Sequence, residues 1–224
     1  MAAIAIDGPA GAGKSTVAKR VSKTLGFIYV DTGAMYRAMA LYMLRERVDI
    51  TDEEAVAAAS LRADISIRHE AGEQIVVLNG ENVNGLIRTE EVGNTASAVS
   101  TVGRVRERLV ALQQELARTT DVVMDGRDIG TVVLPQAECK IYLTASSAVR
   151  AHRRFLELQA KGETPDEDQI RRDIEERDER DKNREISPLK QADDAVLLDT
   201  SDLNIDEAVE RILAIYAEKT GRRA

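Results

Sequence analysis

Short apolar runs alternate with stretches of helical spacing along most of this chain of 224 residues. The first run, Ala3 to Ile6, ends at Asp7-Gly8 and is typical of a buried parallel strand. The residues from Ser15 to Leu25 then repeat apolar side chains on one side of a helix, and Gly26 is a suitable helix stop. The chain therefore begins with the predicted order strand, turn and helix.

The same alternation continues to the end of the chain. Further strands are predicted at Ile28 to Val30, Val122 to Met124, Lys140 to Leu143 and Val196 to Leu198. Further helices are predicted at Ala34 to Glu46, Glu90 to Arg118, residues 146–160, residues 166–184 and from Asn204 onward. Met35, Met39 and Met43 form an apolar stripe, which indicates core packing. Glu207 follows Asn204 at the spacing of a capping box.

Residues 63–90 have a different pattern, in which apolar residues alternate with short polar turns. Ile65 and Ile67 are separated from the run Ile75 to Leu78 by Glu70-Ala71-Gly72, and Asn79-Gly80 follows that run. Asn-Gly between apolar segments is a hairpin signal. The segment therefore predicts a small antiparallel sheet inserted into the alternating chain.

Alternating strands and helices predict an α/β fold, with a parallel sheet of about five strands covered by helices on both faces. Because only segment 63–90 interrupts the pattern, we expect a single domain over residues 1–224. Residues 1–62 and 91–224 would form its core. Within that core, Gly162 and Pro165 divide a highly charged stretch near 150–184 into two helices.

Composition excludes several classes of function. The net charge of −8 argues against a duplex nucleic-acid partner, although a local arginine cluster can still hold phosphates. Cys139 is the only cysteine, so no intramolecular disulfide can form, and His69 and His152 are too few and too far apart to favour a zinc site. No stretch reaches the roughly 18 apolar residues of a membrane span. We expect a cytoplasmic protein with no membrane partner, and a monomer by default.

The residues Gly8-Pro9-Ala10-Gly11-Ala12-Gly13-Lys14-Ser15 match the pattern G-x-x-x-x-G-K-[ST] between a predicted strand and a predicted helix. Glycines let successive backbone N–H groups point at phosphate oxygens, and the following helix adds the positive end of its dipole. Lys14 can reach the β- and γ-phosphates, and Ser15 can offer its hydroxyl to Mg²⁺. The motif does not separate kinases from other such proteins, but the sequence has no Asn-Lys-x-Asp motif for guanine.

Three further clusters carry charged side chains: Asp31-Thr32-Gly33-Ala34-Met35-Tyr36-Arg37, Asp125-Gly126-Arg127-Asp128, and Arg177 with Asp181 and Arg184. The first two follow predicted strands, and ligands of open α/β sheets bind at the carboxyl ends of strands. Spacings of four and three predict that the members of the third cluster share one helical face. Each cluster alone is compatible with a cap, a turn or a surface ion-pair ladder, but together with the loop they favour a site for two anionic groups.

In these motifs the chain resembles the bacterial cytidylate kinases over nearly its whole length. Further segments carry the resemblance: Ile87-Arg88-Thr89, Arg104-Val105-Arg106, Asp128 through Val133, Ala151-His152-Arg153-Arg154, and Glu176 through Arg184. The insert at 63–90 is similar to the enlarged monophosphate-binding region of that family. The resemblance implies a P-loop three-layer fold with a helical lid near 150–184. It also implies transfer of the γ-phosphoryl group of ATP, with Mg²⁺, to CMP or dCMP in pyrimidine nucleotide metabolism.

The resemblance further implies roles for individual residues. Residues Gly8 to Ser15 and Thr16 would bind ATP, with Mg²⁺ at Ser15. The residues implied to act on the transferred phosphoryl group are Lys14, Arg127, Arg153 and Arg184. Those implied to bind CMP are Ser97, Arg106 and Asp128 at the base, Arg37, Arg127 and Arg184 at the phosphate, and Arg177 and Asp181 at the sugar. Thr32 stands where many relatives have serine, which keeps a hydroxyl near the acceptor and adds a methyl group.

The chemistry of the bases independently supports a carboxylate at Asp128. Cytosine presents an amino donor where uracil presents an acceptor oxygen, so a carboxylate should bind CMP and repel UMP. An unpaired buried polar contact costs about 1–3 kcal/mol, which corresponds to roughly tenfold to hundredfold discrimination. Two alternatives stay open: a kinase for another acceptor, such as UMP, AMP or shikimate, and a protein that binds ATP without catalysis.

Overall fold

The computed structural model describes residues 1–70 and 72–222. Ala71, in the predicted turn Glu70-Ala71-Gly72, lies outside the described residues, as do residues 223–224. The strands are β1 (Ala3–Asp7), β2 (Ile28–Asp31), β3 (Ile65–Glu70), β4 (Glu73–Leu78), β5 (Glu81–Asn82), β6 (Val122–Gly126), β7 (Cys139–Thr144) and β8 (Val196–Asp199). The α-helices are α1 (Lys14–Leu25), α2 (Thr32–Arg45), α3 (Glu53–Ser60), α4 (Glu90–Val99), α5 (Gly103–Thr119), α6 (Ser147–Ala160), α7 (Glu167–Asn183) and α8 (Ile205–Thr220). A π-helix spans Ile129–Val133.

The central sheet has five strands in the order β2-β6-β1-β7-β8. β7 pairs in parallel with β1, where Ile4 lies opposite Cys139, and with β8, where Ile141 lies opposite Val196. β1 and β7 are buried along most of their length, as expected for strands that read as continuous apolar runs. The predicted parallel α/β fold is confirmed.

The chain divides into two compact units. The first contains Met1 and Phe27–Val122, and the second contains Ala2–Gly26 and the chain from Val123 onward. In the first unit, Met35, Met39 and Met43 of α2 are fully buried in a core that includes α4 and strands β3 and β4. The prediction that the methionine stripe packs in the core is confirmed.

The small antiparallel sheet also belongs to the first unit, and its presence is confirmed. β3 and β4 pair with Ile65 opposite Leu78, and β4 pairs with β5. Asn79 and Gly80 both have positive φ, of 49° and 85°, as a two-residue turn between β4 and β5 requires. The Asn-Gly signal therefore marks this hairpin correctly.

The helical pattern predicted from Glu90 to Arg118 forms two helices, α4 and α5, interrupted at residues 100–102. The Ser100 hydroxyl donates to the carbonyl of Ser97, and the Thr101 hydroxyl donates to that of Ala98. Such side-chain bonds compete with the helical backbone pattern. Helix α3 was not predicted, although Asp52 caps it by accepting from the N–H of Ala55.

In the second unit, the charged stretch forms two packed helices, α6 and α7. The predicted common helical face is wrong for Arg184, because α7 ends at Asn183 and Arg184 has extended backbone, with ψ of 140°. The capping box at Asn204 is confirmed: its side chain accepts from the N–H of Glu207, whose carboxylate accepts from the N–H of Asn204. Among the described residues, no helix is both long and apolar enough to cross a membrane.

Candidate functional site

The loop between β1 and α1 approaches the neighbouring strand so closely that it requires glycine at its start. A Cβ atom on Gly8 would lie 1.9 Å from the carbonyl oxygen of Leu143 in β7, and Gly8 has φ of 149°. At the other end of the loop, Gly13 is the N-cap of α1, with φ of 87° and no capping side chain. The first N–H groups of this twelve-residue helix have no side-chain cap from Gly13, and such a helix N-terminus is suited to bind an anion.

Lys14 is buried at the start of α1, and its Nζ donates to the carbonyl of Pro9 at 2.8 Å. Burial, followed by the nearby Arg127, lowers the pKa of Lys14 to about 7, although the carboxylates of Asp125, Asp7 and Asp181 oppose the shift. The lysine therefore lies in a dense cluster of charges, where the approach of an anionic ligand would favour its protonated form.

Two oxygen groups lie near Lys14. Ser15 follows Lys14 in the sequence, and the charge of Asp125 acts on the Lys14 ammonium group. The Ser15 hydroxyl donates to Oδ2 of Asp125, at the end of β6, at 2.9 Å. No group of three or more histidine, cysteine or acidic side chains suited to a metal occurs within the described residues. One carboxylate and one hydroxyl fit Mg²⁺, which is commonly bound by few protein groups together with phosphate oxygens and water.

A second set of charges gathers around Asp181 of α7. Arg127 Nε donates to Asp181 Oδ2 at 2.8 Å, and Arg184 Nη2 lies 3.8 Å from Asp128 Oδ1. Burial would raise the pKa of Asp181, but the guanidinium groups of Arg127, Arg177 and Arg184 outweigh burial and hold that pKa below its usual value. Within the second unit, the structure thus brings together six predicted site residues: Lys14, Arg127, Asp128, Arg177, Asp181 and Arg184.

Arg153 of α6, another predicted site residue, has different partners in the same unit. Its guanidinium donates to the Thr200 carbonyl at 2.7 Å and reaches the Thr200 hydroxyl at 3.4 Å. The role predicted for Arg153 therefore requires its guanidinium to leave the loop after β8.

Arg150, one helical turn earlier, contacts the loop between β1 and α1 instead and was missed in the sequence. Its Nη1 donates to the Ala10 carbonyl at 2.8 Å, and its Nη2 pairs with Asp178 of α7 at 2.6 Å. The sequence signal was a basic residue three positions before Arg153, at the spacing of one helical face.

The remaining predicted acceptor residues lie in the first unit, on helices α2, α4 and α5. Arg106 is buried on α5, where its Nη1 donates to the Ser100 carbonyl and its guanidinium lies 5.5 Å from the centre of the Tyr36 ring. Ser97 lies on α4, whereas Thr32 and Arg37 lie on α2. All four residues thus belong to the first unit.

The start of α2 is held by Asp31. Asp31 Oδ1 accepts from the N–H of Ala34, and Oδ2 accepts from Arg88 at 2.6 Å. Gln74 of β4 binds the backbone of Asp31 through both its oxygen and its nitrogen. The insert thus fixes the strand end that precedes Thr32.

A strand, a glycine-rich loop with a buried lysine and a helix define a P-loop protein of the α/β class. The model of the cytidylate kinase family matches residues 4–218, and the chain belongs to that family. The cytidylate kinase of Lactobacillus johnsonii is 53% identical over 216 residues, which cover 96% of this chain and 94% of that protein. The cytidylate kinase of Streptococcus pneumoniae strain 70585 is 52% identical over 217 residues, covering 96% of this chain and 97% of that protein.

A solved structure with little sequence identity to this chain has a similar fold. An uncharacterized protein from Eubacterium ventriosum has a TM-score of 0.52 and 12% identity, covering 96% of this chain and 97% of that one. This likeness concerns the fold alone.

Proposed function

We propose that this chain is a (d)CMP kinase, which transfers the γ-phosphoryl group of ATP to CMP or dCMP and yields ADP with CDP or dCDP. The observation that carries the proposal is the charge cluster of the second unit. There Lys14 of the phosphate-binding loop lies among Arg127, Asp125 and Asp181. The relatives at 52–53% identity are named cytidylate kinases, which supports the choice of acceptor.

On the donor side, we assign ATP to residues 8–16. The amides of the loop and of the α1 N-terminus bind phosphate oxygens, and Lys14 pairs with the β- and γ-phosphates. Mg²⁺ would be held by Ser15, beside Asp125, and would neutralise charge on the β- and γ-phosphates. Arg150 supports the loop by donating to the Ala10 carbonyl.

On the acceptor side, we assign the residues that the family resemblance implies. In the second unit, Arg127 and Arg184 would bind the acceptor phosphate, Asp128 the base, and Arg177 and Asp181 the sugar. In the first unit, Arg37 would bind the phosphate, and the residues assigned to the base or its surroundings are Thr32, Ser97 and Arg106. Arginine suits the binding of phosphate because its planar guanidinium group can donate two parallel hydrogen bonds to two phosphate oxygens.

The reaction requires the γ-phosphate of ATP and the phosphate of CMP to come into contact. Basic side chains reduce the repulsion between these two anions. Charge on the transferred group would be stabilised by Lys14, Arg127, Arg153 and Arg184. Such stabilisation, together with positioning of the reactants, supplies most of the catalysis of phosphoryl transfer. We propose that α6 and α7 form the lid. Closure of a lid excludes water, which would otherwise accept the phosphoryl group.

A steady-state assay of ADP release with CMP, dCMP, UMP and AMP tests the choice of acceptor. We expect kcat/KM for CMP or dCMP to exceed that for UMP and AMP by roughly tenfold or more, the scale of one mismatched buried polar contact. Equal turnover with all four acceptors would contradict the proposal. ADP release without any acceptor would indicate an ATPase instead.

We also propose a monomer with a cytoplasmic location. The single cysteine, Cys139, is buried in β7, and burial raises the pKa of its thiol to about 11, which suits a residue that acts as a small apolar side chain. Light scattering on the purified chain should give a mass near the 24.6 kDa of one copy. A mass near twice that value would contradict the monomer.

A further inference from the structure

Asp7, the last residue of β1, binds a segment that is far from it in sequence. Its Oδ1 accepts from the N–H of Ile129 at 2.8 Å, and its Oδ2 accepts from the N–H of Gly130 at 2.7 Å. Asp7 is only 5% exposed. Burial raises the pKa of Asp7 to about 6, so at neutral pH the group is a carboxylate and both oxygens can accept.

The two amides bound by Asp7 are the first of the π-helix Ile129–Val133. The first amides of a helix have no partner inside it, and a short polar side chain at the N-cap residue usually binds them. Here the N-cap residue is Asp128, which is a good capping residue by type, yet its side chain makes no capping hydrogen bond. Asp7, at the end of β1, caps the π-helix instead.

The packing around Gly130 keeps the segment close to Asp7. A Cβ atom at Gly130 would lie 3.3 Å from Asp7 Oδ2 and 3.2 Å from Cδ of Lys140. Both contacts are tighter than ordinary van der Waals distances, so an added Cβ would require the Asp7 and Lys140 side chains to shift by a few tenths of an ångström.

The Asp128 carboxylate is buried, and its Oδ1 lies 3.8 Å from Nη2 of Arg184. We propose that Asp7 is a positioning residue for acceptor selectivity: by capping the π-helix in place of Asp128, it lets the Asp128 carboxylate bind the acceptor base. The inference rests on the proposed function, in which Asp128 binds the amino group of cytosine. Asp7 itself does not contact the acceptor.

The substitution Asp7→Asn tests this role. An amide has one acceptor oxygen, and its NH₂ group would face the second backbone N–H, so one π-helix amide loses its acceptor. Asp128 is the nearest side chain in sequence that can replace it, and capping would withdraw its carboxylate from the base. We expect the KM for CMP to rise and the CMP/UMP ratio of kcat/KM to fall, each by about tenfold, the scale of one capping interaction. Because Asp7 also favours the protonated form of Lys14, the KM for ATP is expected to rise as well, and the CMP/UMP ratio at saturating ATP is the deciding readout.

Two further variants separate a loss of acceptor selectivity from a loss of folding. Gly130→Ala crowds Asp7 without removing its charge, and the same fall in the CMP/UMP ratio is expected. Gly85→Ala is the matched control, because a Cβ there has no heavy atom within 4 Å, and it should leave the ratio unchanged. In an Asp128→Ala background, Asp7→Asn should have no further effect on the ratio, because the two residues act in series.

The outcomes separate this inference from the proposed function. A wild-type enzyme that does not prefer CMP over UMP would overturn the proposed function and the role of Asp7 with it. A wild-type preference that survives intact in both Asp7→Asn and Gly130→Ala would overturn only the role of Asp7. If the KM values for ATP and CMP and the melting temperature change together while the ratio is constant, Asp7 serves the fold alone. If Asp7→Asn does not fold, Gly130→Ala decides.

Discussion

Lys14 is a buried lysine whose surroundings decide when it carries a proton. Burial, followed by Arg127, lowers its pKa from 10.5 to about 7 in the folded chain. The unfolded chain therefore keeps this proton at pH values where the folded chain has lost it. From about pH 7 to 10.5, this group makes the nucleotide-free protein more stable as pH rises. A bound triphosphate should reverse the shift by favouring the charged form.

ATP binding is therefore expected to take up a proton at pH 8, where the free enzyme holds much of Lys14 uncharged. Calorimetry in two buffers of different ionisation enthalpy should give an uptake approaching about one proton at pH 8 and less at pH 6. The control Lys23→Ala removes an exposed lysine from the same helix and should behave like the wild type. A binding enthalpy that does not depend on the buffer at pH 8 would contradict the role of Lys14.

We assign the choice between cytosine and uracil to Asp128. Replacing it with asparagine keeps the shape and supplies a donor that can face the uracil oxygen. We expect Asp128→Asn to lower the CMP/UMP ratio of kcat/KM by roughly tenfold to hundredfold. The matched control Asp206→Asn removes an exposed carboxylate that pairs with Arg20, and its ratio should be that of the wild type. If Asp128→Asn leaves the ratio unchanged, the base is recognised elsewhere.

Single residues also mark the limit of prediction from sequence. Lys14 and Ser15 are fixed by a motif of eight positions, so their placement at a helix N-terminus could be predicted. Arg150 and Arg153 share one residue type on one charged helix, and no local pattern separates them. Only the folded chain distinguishes the arginine that contacts Ala10 from the one that contacts Thr200.

Secondary-structure elements were predictable where periodicity and end signals agree. α1 and α8 have both, with Gly26 ending the first and Asn204 beginning the second. The break between α4 and α5 was not predictable, because apolar spacing continues while serine and threonine hydroxyls bind the helix backbone. The π-helix was missed for a different reason: its capping group, Asp7, comes from a strand 122 residues earlier.

The capping box of α8 gives a prediction at this scale. Asn204→Ala removes the side chain that accepts from the N–H of Glu207, and should lower the free energy of unfolding by about 1 kcal/mol. Urea denaturation measures the change. Glu207→Gln keeps a capping box and should be close to neutral. Equal losses in the two variants would mean that the charge of Glu207, rather than the cap, stabilises the helix.

For the molecule as a whole, alternation of strands and helices was enough to predict the parallel sheet, and the Asn-Gly hairpin signal predicted its antiparallel insert. Strand order was not predictable, because β1 lies beside β7 through contacts between residues such as Ile4 and Cys139 that are remote in sequence. The division into two units was likewise not predicted. The long segment of the first unit begins at Phe27, where the sequence shows no interruption in the alternation of strands and helices.

Transfer of a labelled γ-phosphoryl group is the most direct test of the central claim. The enzyme is incubated with γ-³²P-labelled ATP, Mg²⁺ and CMP, and the products are separated. We expect the label in CDP for the wild type, and a rate lower by orders of magnitude for Lys14→Ala, because one charged contact to the transition state contributes several kcal/mol. Circular dichroism would verify that this variant is folded. Label recovered only as inorganic phosphate, or transfer to CMP at the wild-type rate by folded Lys14→Ala, would contradict the account.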